Sequence, residues 1–166
     1  MIKRDKSLFI RNFTFGVEDS LVSTVGLLAG IAVVGVAKET IIITGLVLIF
    51  VEGFSMAVGS LVSERSVEEY ERKTTSFRSP FRASIIMLLS YILAGIIPLA
   101  PYFYFTGRQA WLSSIALSLV ALFVLGAING RIANKKMFGD GVFTLAMGGV
   151  AILVGIIVGQ VSQRLL

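Results

Sequence analysis

Five long apolar segments alternate with short polar segments along the chain. The apolar segments cover residues 14–37, 40–63, 83–104, 110–130 and 141–163. Each has the length of about 20 residues that a helix needs to cross the hydrocarbon core of a bilayer. The pattern therefore predicts an all-α integral membrane protein with five transmembrane helices.

Polar and charged residues precede the first span and separate the second from the third. Residues 1–13 combine five charged side chains with apolar residues on one helix face, which predicts an amphipathic segment on the membrane surface. Residues 14–166 then form a single transmembrane domain. Within it, residues 64–82 are expected to be a short cytoplasmic helical linker between helices two and three.

Basic residues are distributed unequally between the two ends of the predicted bundle. Of the 15 lysines and arginines, twelve fall on the side of the N-terminus and three, Lys38, Arg108 and Arg164, on the other side. Because cytoplasmic loops are enriched in lysine and arginine, we expect a cytoplasmic N-terminus and an extracytoplasmic C-terminus. This asymmetry accounts for the net charge of +5, so we expect no nucleic-acid partner.

Composition limits the chemistry that the chain can perform. The residues are 55% hydrophobic and the mean hydropathy is +0.88, well above the values of soluble domains. The chain has no cysteine and no histidine, so metal or proton chemistry must use carboxylates, thioethers, hydroxyls, amides or backbone carbonyls. We find no nucleophile–base set and no nucleotide-binding loop, and we expect neither an enzyme nor a permanently bound cofactor.

Acidic residues lie inside two of the predicted spans. Glu18 and Asp19 follow the start of span one, and Glu52 lies near the middle of span two. An ionisable side chain within a membrane is costly and usually lines a polar pathway, and neither span contains a lysine or arginine as a partner. Adjacent helical residues point about 100° apart, so we expect at most one of Glu18 and Asp19 to face the pathway fully.

Methionines lie at a depth similar to that of these acids. Met56 follows Glu52 by four residues and shares its helix face. With a rise of about 1.5 Å per residue, Asp19, Met56, Met87 and Met147 lie roughly 6–10 Å from the cytoplasmic ends of their spans. Carboxylate oxygen combined with thioether sulfur suits Fe²⁺ or Mn²⁺ better than Mg²⁺ or Ca²⁺. These acids and methionines are therefore candidate metal ligands.

The linker carries three acidic residues on one face of its predicted helix. Glu64, Glu68 and Glu71 occur at positions i, i+4 and i+7. Two interpretations stay open: a solvated charged helix face, or a stripe of acids that collects cations at the cytoplasmic mouth.

Glycine pairs at one-turn spacing occur in three spans. Such pairs let helix backbones approach each other closely in lipid. The pairs are Gly26 with Gly30, Gly126 with Gly130, and Gly155 with Gly159.

Two motifs give the chain a resemblance to the vacuolar iron transporter family. Residues 15–30, FGVEDSLVSTVGLLAG, are similar to the first-span motif G-x-x-D-G-L-V-S-T-x-G-L-x-x-G. Residues 55–66, SMAVGSLVSERS, are similar to the second-span motif S-M-A-x-G-E-Y-x-S-x-x-S. The chain departs from these motifs at Ser20, which replaces a glycine, and at Ser60, which replaces a glutamate.

The resemblance implies a homodimer with a cation path between the first spans of the two subunits. Such proteins export Fe²⁺ or Mn²⁺ from the cytoplasm in exchange for protons, and the matching positions assign Asp19, Met56 and, on a weaker match, Met87 to that path. Gly26 and Gly30 would then lie at the two-fold axis, where Gly26→Leu is expected to weaken association or block transport. The linker is too short for the helical metal-binding domain of long family members.

The resemblance also implies a location, and two other functions stay open. A prokaryotic protein of this kind would lie in the plasma membrane and a eukaryotic one in the vacuolar membrane. The chain could instead be another small-cation carrier or channel on the same scaffold, or a non-transporting membrane protein that binds partners through residues 64–82. The unpaired acids favour transport, because a scaffold has no use for unpaired charges in lipid.

Overall fold

The protein folds as a bundle of five α-helices. The computed structural model describes the backbone of residues 2–71 and 77–165 and the side chains of 6–71 and 77–165. The helices are α1 (Ile2–Val33), α2 (Lys38–Tyr70), α3 (Arg78–Tyr104), α4 (Gly107–Ile132) and α5 (Met137–Leu165). All five are long and apolar enough to cross a membrane. The predicted all-α membrane fold with five spans is confirmed, whereas the orientation of the termini stays a prediction.

Helix α1 combines the predicted amphipathic segment and the first span in one continuous helix. The range Ile2–Val33 contains no proline. The change from charged to apolar residues along it does not interrupt the helical backbone. The helix ends before Gly35, whose φ of +81° lies in the left-handed region that favours glycine. The first span is therefore the later part of a helix that begins well before it.

Helix α2 likewise continues beyond its span. It runs to Tyr70, so the first part of the predicted linker is a direct extension of the second span. Residues 72–76 lie outside the described residues. Helix α3 begins at Arg78 with Pro80 in its first turn, where the missing N–H of proline removes no helical hydrogen bond.

Helix α1 lies at the centre of the bundle and packs against each of the other four helices. Small and polar residues at four-residue spacing form one of its buried faces: Asn12, Gly16, Ser20 and Thr24. At Gly16 the approach to α3 is so close that a Cβ atom would lie 3.1 Å from the carbonyl oxygen of Met87. This face leaves room for polar contacts between α1 and α3 inside the bundle.

Apolar clusters hold the remaining interfaces together. Leu21 of α1, Ala94 of α3 and Leu122 of α4 form one buried cluster, and Val25 and Ala29 of α1 pack with α5 in another. The outward faces carry large exposed apolar side chains along all five helices, as expected for helices in contact with lipid. We call the end of the bundle that holds the start of α1 and the α2–α3 connection the N-terminal end.

Candidate functional site

The centre of the bundle contains a chain of hydrogen bonds that joins three helices. The hydroxyl of Tyr91 on α3 donates a short hydrogen bond to the Glu52 carboxylate on α2. The same hydroxyl lies 2.7 Å from the Ser23 hydroxyl on α1. Because the proton of Tyr91 is directed at Glu52, Ser23 is the donor in that second bond. Tyr91 thus holds Glu52 directly, and Ser23 in turn fixes the Tyr91 hydroxyl.

Tyr91 owes its position to a second contact with α1. Its side chain is 0% exposed, and the Ser20 hydroxyl donates to its backbone carbonyl oxygen over 2.6 Å. Ser20 is the residue that replaces a glycine of the first-span motif. The sequence patterns did not single out Tyr91. The available signal was its location in the middle of a span, because tyrosine is more usual at the membrane interface.

Asp19 lies beside this hydrogen-bonded chain. Its half-buried carboxylate interacts electrostatically with Glu52 and with its neighbour Glu18. Within residues 6–71 and 77–165, no lysine or arginine forms an ion pair with Asp19 or Glu52. The bundle interior therefore carries neighbouring acidic groups, Asp19 and Glu52, whose charge a cation could neutralise.

A cavity of about 720 Å³ opens between α1, α2 and α3 on the N-terminal side of the acids. We call it the inner cavity. Met56 and the 4% exposed Met87 both line it, and Met56 lies one helical turn from Glu52 on α2. Two thioethers and two carboxylates therefore occupy successive levels of the same three-helix interface.

The wall of the inner cavity contains a polar contact that the sequence patterns did not predict. The Ser60 hydroxyl on α2 donates to Asn12 Oδ1 over 2.6 Å, and Asn12 Nδ2 donates to the Leu8 carbonyl oxygen over 2.9 Å. Ser60 stands where the second-span motif has a glutamate. Asn12 was hidden in the predicted surface segment, although its four-residue spacing from Gly16 and Ser20 could have revealed the buried face.

Met147 does not join the other two methionines. It lies on α5, where its side chain is 47% exposed, and it does not line the inner cavity. Its neighbour Gly148 faces Val22 and Leu122, so α5 packs on the side of α1 and α4. The depth expected for Met147 is compatible with this placement, but its direction around the bundle differs from that of Met56 and Met87.

The acidic stripe of the linker does not form a solvated face. Glu64 and Glu68 are 3% and 5% exposed, whereas Glu71 is exposed. Glu64 forms an ion pair with Arg11 of α1, because the extended α2 runs alongside the early part of α1. The interpretation as a purely solvated charged helix is therefore wrong for the two buried glutamates.

The glycine pairs pack within the chain. A Cβ atom on Gly30 would lie 2.6 Å from the carbonyl oxygen of Gly155, and Gly159 in turn meets the backbone of Gly30. Gly26 contacts the backbones of Ala151 and Gly155. Gly26 and Gly30 therefore form the α1–α5 interface of one subunit, and a two-fold axis is not needed to explain them.

An apolar groove of about 850 Å³ runs along the α1–α5 interface. Its lining includes Ser23, Leu27, Val154 and Val158, and both valines are more than half exposed. The groove begins beside the hydroxyl of Ser23 and thus at the level of the acids. It is a lateral opening of the bundle, separate from the inner cavity.

The site contains no ready-made cluster of three acidic ligands. Among the residues that the structure describes, no group of three or more aspartates and glutamates is close enough to hold a metal ion. The available ligands are the carboxylates of Asp19 and Glu52, the thioethers of Met56 and Met87, and nearby hydroxyls.

Both motifs lie within the residues that a single protein-family model matches. A model of the VIT family matches residues 10–78 and 72–160. Vacuolar iron transporter 1 of Oryza sativa subsp. japonica is 35% identical over 71 residues, which cover 42% of this chain and 28% of the rice protein. The corresponding protein of Tulipa gesneriana is 33% identical over 75 residues, covering 45% of this chain and 30% of its own length.

A longer alignment extends over most of the bundle. Vacuolar iron transporter homolog 3 of Arabidopsis thaliana is 29% identical over 141 residues, which cover 76% of this chain and 70% of that protein. The chain spans less than a third of the rice and tulip proteins that it matches. The family match nevertheless covers nearly all of the five helices.

Proposed function

The chain belongs to the VIT family, and on that premise we propose that it transports divalent metal cations, Fe²⁺ or Mn²⁺, out of the cytoplasm. The observation that carries this proposal is the pair of acids, Asp19 and Glu52, that form no ion pair within the described side chains and lie beside a cavity lined by Met56 and Met87. The names of the relatives refer to iron and to the vacuole, which favours the vacuolar membrane as its location.

We propose the inner cavity as the route by which the ion reaches the acids. The N-terminal end of the bundle would face the cytoplasm, so an ion would enter past Met56 and Met87 before it meets Glu52 and Asp19. Thioether sulfur discriminates against Mg²⁺, which is abundant in cells and prefers oxygen ligands. The carboxylates then supply the charge that draws a divalent ion into the bundle.

Proton exchange would follow from the same two carboxylates. A protonated carboxyl group has lost the charge that binds a cation, and a bound cation opposes protonation. Metal arriving from the cytoplasm would displace protons, and protons arriving from the opposite side would displace metal. Tyr91 and Ser23 support this cycle by keeping the Glu52 carboxylate fixed while its occupant changes.

The function can be tested with the purified protein in liposomes. Fe²⁺ and Mn²⁺ flux would be measured with a fluorescent indicator, with and without a pH gradient, alongside Mg²⁺ and Zn²⁺. We expect Fe²⁺ and Mn²⁺ flux that accelerates when the trans side is acidic. Flux of none of these ions above protein-free liposomes would contradict the transport proposal, and flux that ignores the pH gradient would contradict proton exchange.

Replacing Met56 with leucine should alter selectivity more than expression. Leucine keeps the apolar volume but removes the sulfur, so the ratio of Mn²⁺ to Mg²⁺ flux should fall by about tenfold, which corresponds to about 1.4 kcal/mol of differential binding. Met147→Leu is the matched control, because Met147 lies outside the inner cavity. An unchanged ratio of Mn²⁺ to Mg²⁺ flux in Met56→Leu would contradict a role of the Met56 sulfur in selectivity. A lower ratio in Met147→Leu would indicate that α5 also contributes to selectivity.

The orientation that transport requires can be tested with reporters. A reporter fused to the C-terminus should be extracytoplasmic, and one inserted in residues 72–76 should be cytoplasmic, because twelve of the 15 basic residues lie on the N-terminal side. The reporters would be read by accessibility to a membrane-impermeant label. A cytoplasmic C-terminus would contradict the direction of export proposed here.

We also propose that the transporter is a homodimer. The groove along the α1–α5 interface is apolar and begins beside Ser23, at the level of the acids. Two of its lining residues, Val154 and Val158, are more than half exposed. A second subunit over this groove would place two sets of acids close to one axis. A mass of two chains in detergent and in lipid nanodiscs would support this arrangement.

A further inference from the structure

The mouth of the inner cavity contains an ion pair whose partners differ greatly in exposure. Glu64 on α2 is 3% exposed, while its partner Arg11 on α1 is 58% exposed. Arg11 also lines the inner cavity, together with Ser63, the residue that precedes Glu64. A cation that moves towards Met56 from the N-terminal end therefore meets the Arg11 side chain, which already pairs with a carboxylate buried beside the cavity.

The neighbouring contact fixes the position from which Arg11 reaches Glu64. Asn12, the next residue of α1, is 2% exposed and accepts a hydrogen bond from Ser60. Ser60 precedes Glu64 by one helical turn. Helix α1 is thus hydrogen-bonded to α2 at this level, and the 58% exposed Arg11 side chain extends from this point to Glu64.

The chemistry of the pair makes it an obstacle to cations in its resting state. A guanidinium remains charged at every physiological pH, so Arg11 neutralises Glu64 and adds repulsion to the mouth. A charged Glu64 carboxylate is strongly unfavourable when it is buried without a positive group beside it. Arg11 therefore leaves when a metal cation or a proton takes its place on the carboxylate, and its exposed half already lies in solvent.

We propose that Arg11 is a tethered competitor for the transported ion: it occupies the Glu64 carboxylate at rest, and a divalent cation must displace it to enter the inner cavity. This inference rests on the proposed transport function. It assigns Glu64 to the access step and makes Arg11 a determinant of the apparent affinity for the ion. Arg11 would also favour divalent over monovalent ions, since a doubly charged ion competes better with a guanidinium than a singly charged one.

The test compares transport kinetics of the wild type and Arg11→Gln. Glutamine keeps a hydrogen-bond donor but removes the competing charge, so KM for Mn²⁺ flux into liposomes should fall by about fivefold or more, as expected for ligands that exclude each other. In Arg11→Gln with Glu64→Gln, this gain should disappear. An ordinary structural ion pair would instead give lower stability with an unchanged or higher KM, and that result would overturn the proposal.

Arg65→Gln provides a matched control. Arg65 lies next to Glu64 in sequence but forms an exposed i,i+4 pair with Glu69 over 2.8 Å, so its removal should leave KM unchanged. A KM that falls equally in Arg65→Gln would show that the effect is general surface charge, and would overturn the specific role of Arg11.

Direct binding separates this inference from the transport proposal. The probe is Mn²⁺ alone, measured by electron paramagnetic resonance on the full chain in detergent, where Arg11→Gln should bind more tightly than the wild type. Wild-type protein with neither Mn²⁺ binding nor flux would contradict the proposed function itself. Wild-type transport with unchanged binding and KM in Arg11→Gln would overturn only the competitor.

A second variant keeps the test decisive if Arg11→Gln does not fold. Arg11→Lys retains the charge but replaces the forked guanidinium by a single ammonium group, which pairs less well with a carboxylate. We expect a KM below that of the wild type. A wild-type KM in folded Arg11→Lys would overturn the proposal.

Discussion

Replacing Gly155 with leucine is expected to separate α5 from α1 and to destabilise the protein severely. A Cβ atom at this position would overlap the carbonyl oxygen of Gly26 and lie 3.1 Å from its Cα atom. These are backbone atoms of a central helix, so they cannot move aside as a flexible side chain could. Overpacking by small groups typically costs about 1–3 kcal/mol, and leucine adds three further carbons.

The loss should be visible as a lower midpoint of thermal unfolding in detergent. Taking about 3 kcal/mol as a lower bound and about 2–4 °C per kcal/mol for a protein of this size, we expect a fall of roughly 6–12 °C or more. Gly149→Leu is the control, because a Cβ at Gly149 meets nothing within 4 Å. Equal midpoints for the two variants would contradict the α1–α5 packing.

The same contact changes how dimer experiments must be designed. Gly26→Leu was expected to act at a two-fold axis, but Gly26 packs against α5 of its own subunit. A loss of association in that variant would therefore follow from damage to the subunit as readily as from a blocked dimer contact. Val158, which lines the groove and is 58% exposed, is a better position at which to test association.

The five helices could be predicted from the sequence because each depends on local information. Apolar runs of sufficient length define the spans, and glycine pairs mark close packing whichever helix is the partner. Sequence alone could not show where α1 begins, because residues 6–13 are amphipathic and continue into the span without a proline or a turn. The helix simply extends through them.

The sequence allowed an estimate of how deep in the bundle each candidate residue lies, but not of the side of its helix that faces the site. The rise per residue placed Met56, Met87 and Met147 at one level, and the structure brings the first two into one cavity. Which way a residue faces depends on helix rotation and on neighbours distant in sequence, such as the 39 residues that separate Glu52 from Tyr91. For this reason Tyr91 and the Arg11–Glu64 pair emerged only from the structure.

Replacing Asp19 with asparagine is expected to abolish transport while leaving the fold intact. Asparagine has nearly the shape of aspartate, and Asp19 makes no ion pair whose loss would destabilise the described part of the bundle. The variant removes one of the two charges that attract the ion and one of the two groups that exchange a proton for it. Because loss of an outer partner of a metal ligand already costs about 10–100-fold, loss of this group should reduce flux at least that far.

The measurement is Fe²⁺ and Mn²⁺ flux into liposomes, with thermal unfolding in detergent as the test of folding. Glu39→Gln is the control, because Glu39 is an exposed acid in the first turn of α2, and it should transport like the wild type. Tyr91→Phe should lie between the two, since it removes the hydroxyl that holds Glu52 but neither carboxylate. Flux near the wild-type value in folded Asp19→Asn would exclude the mechanism whatever Glu52 contributes, because a single remaining acid could not couple the ion to the proton in the way proposed.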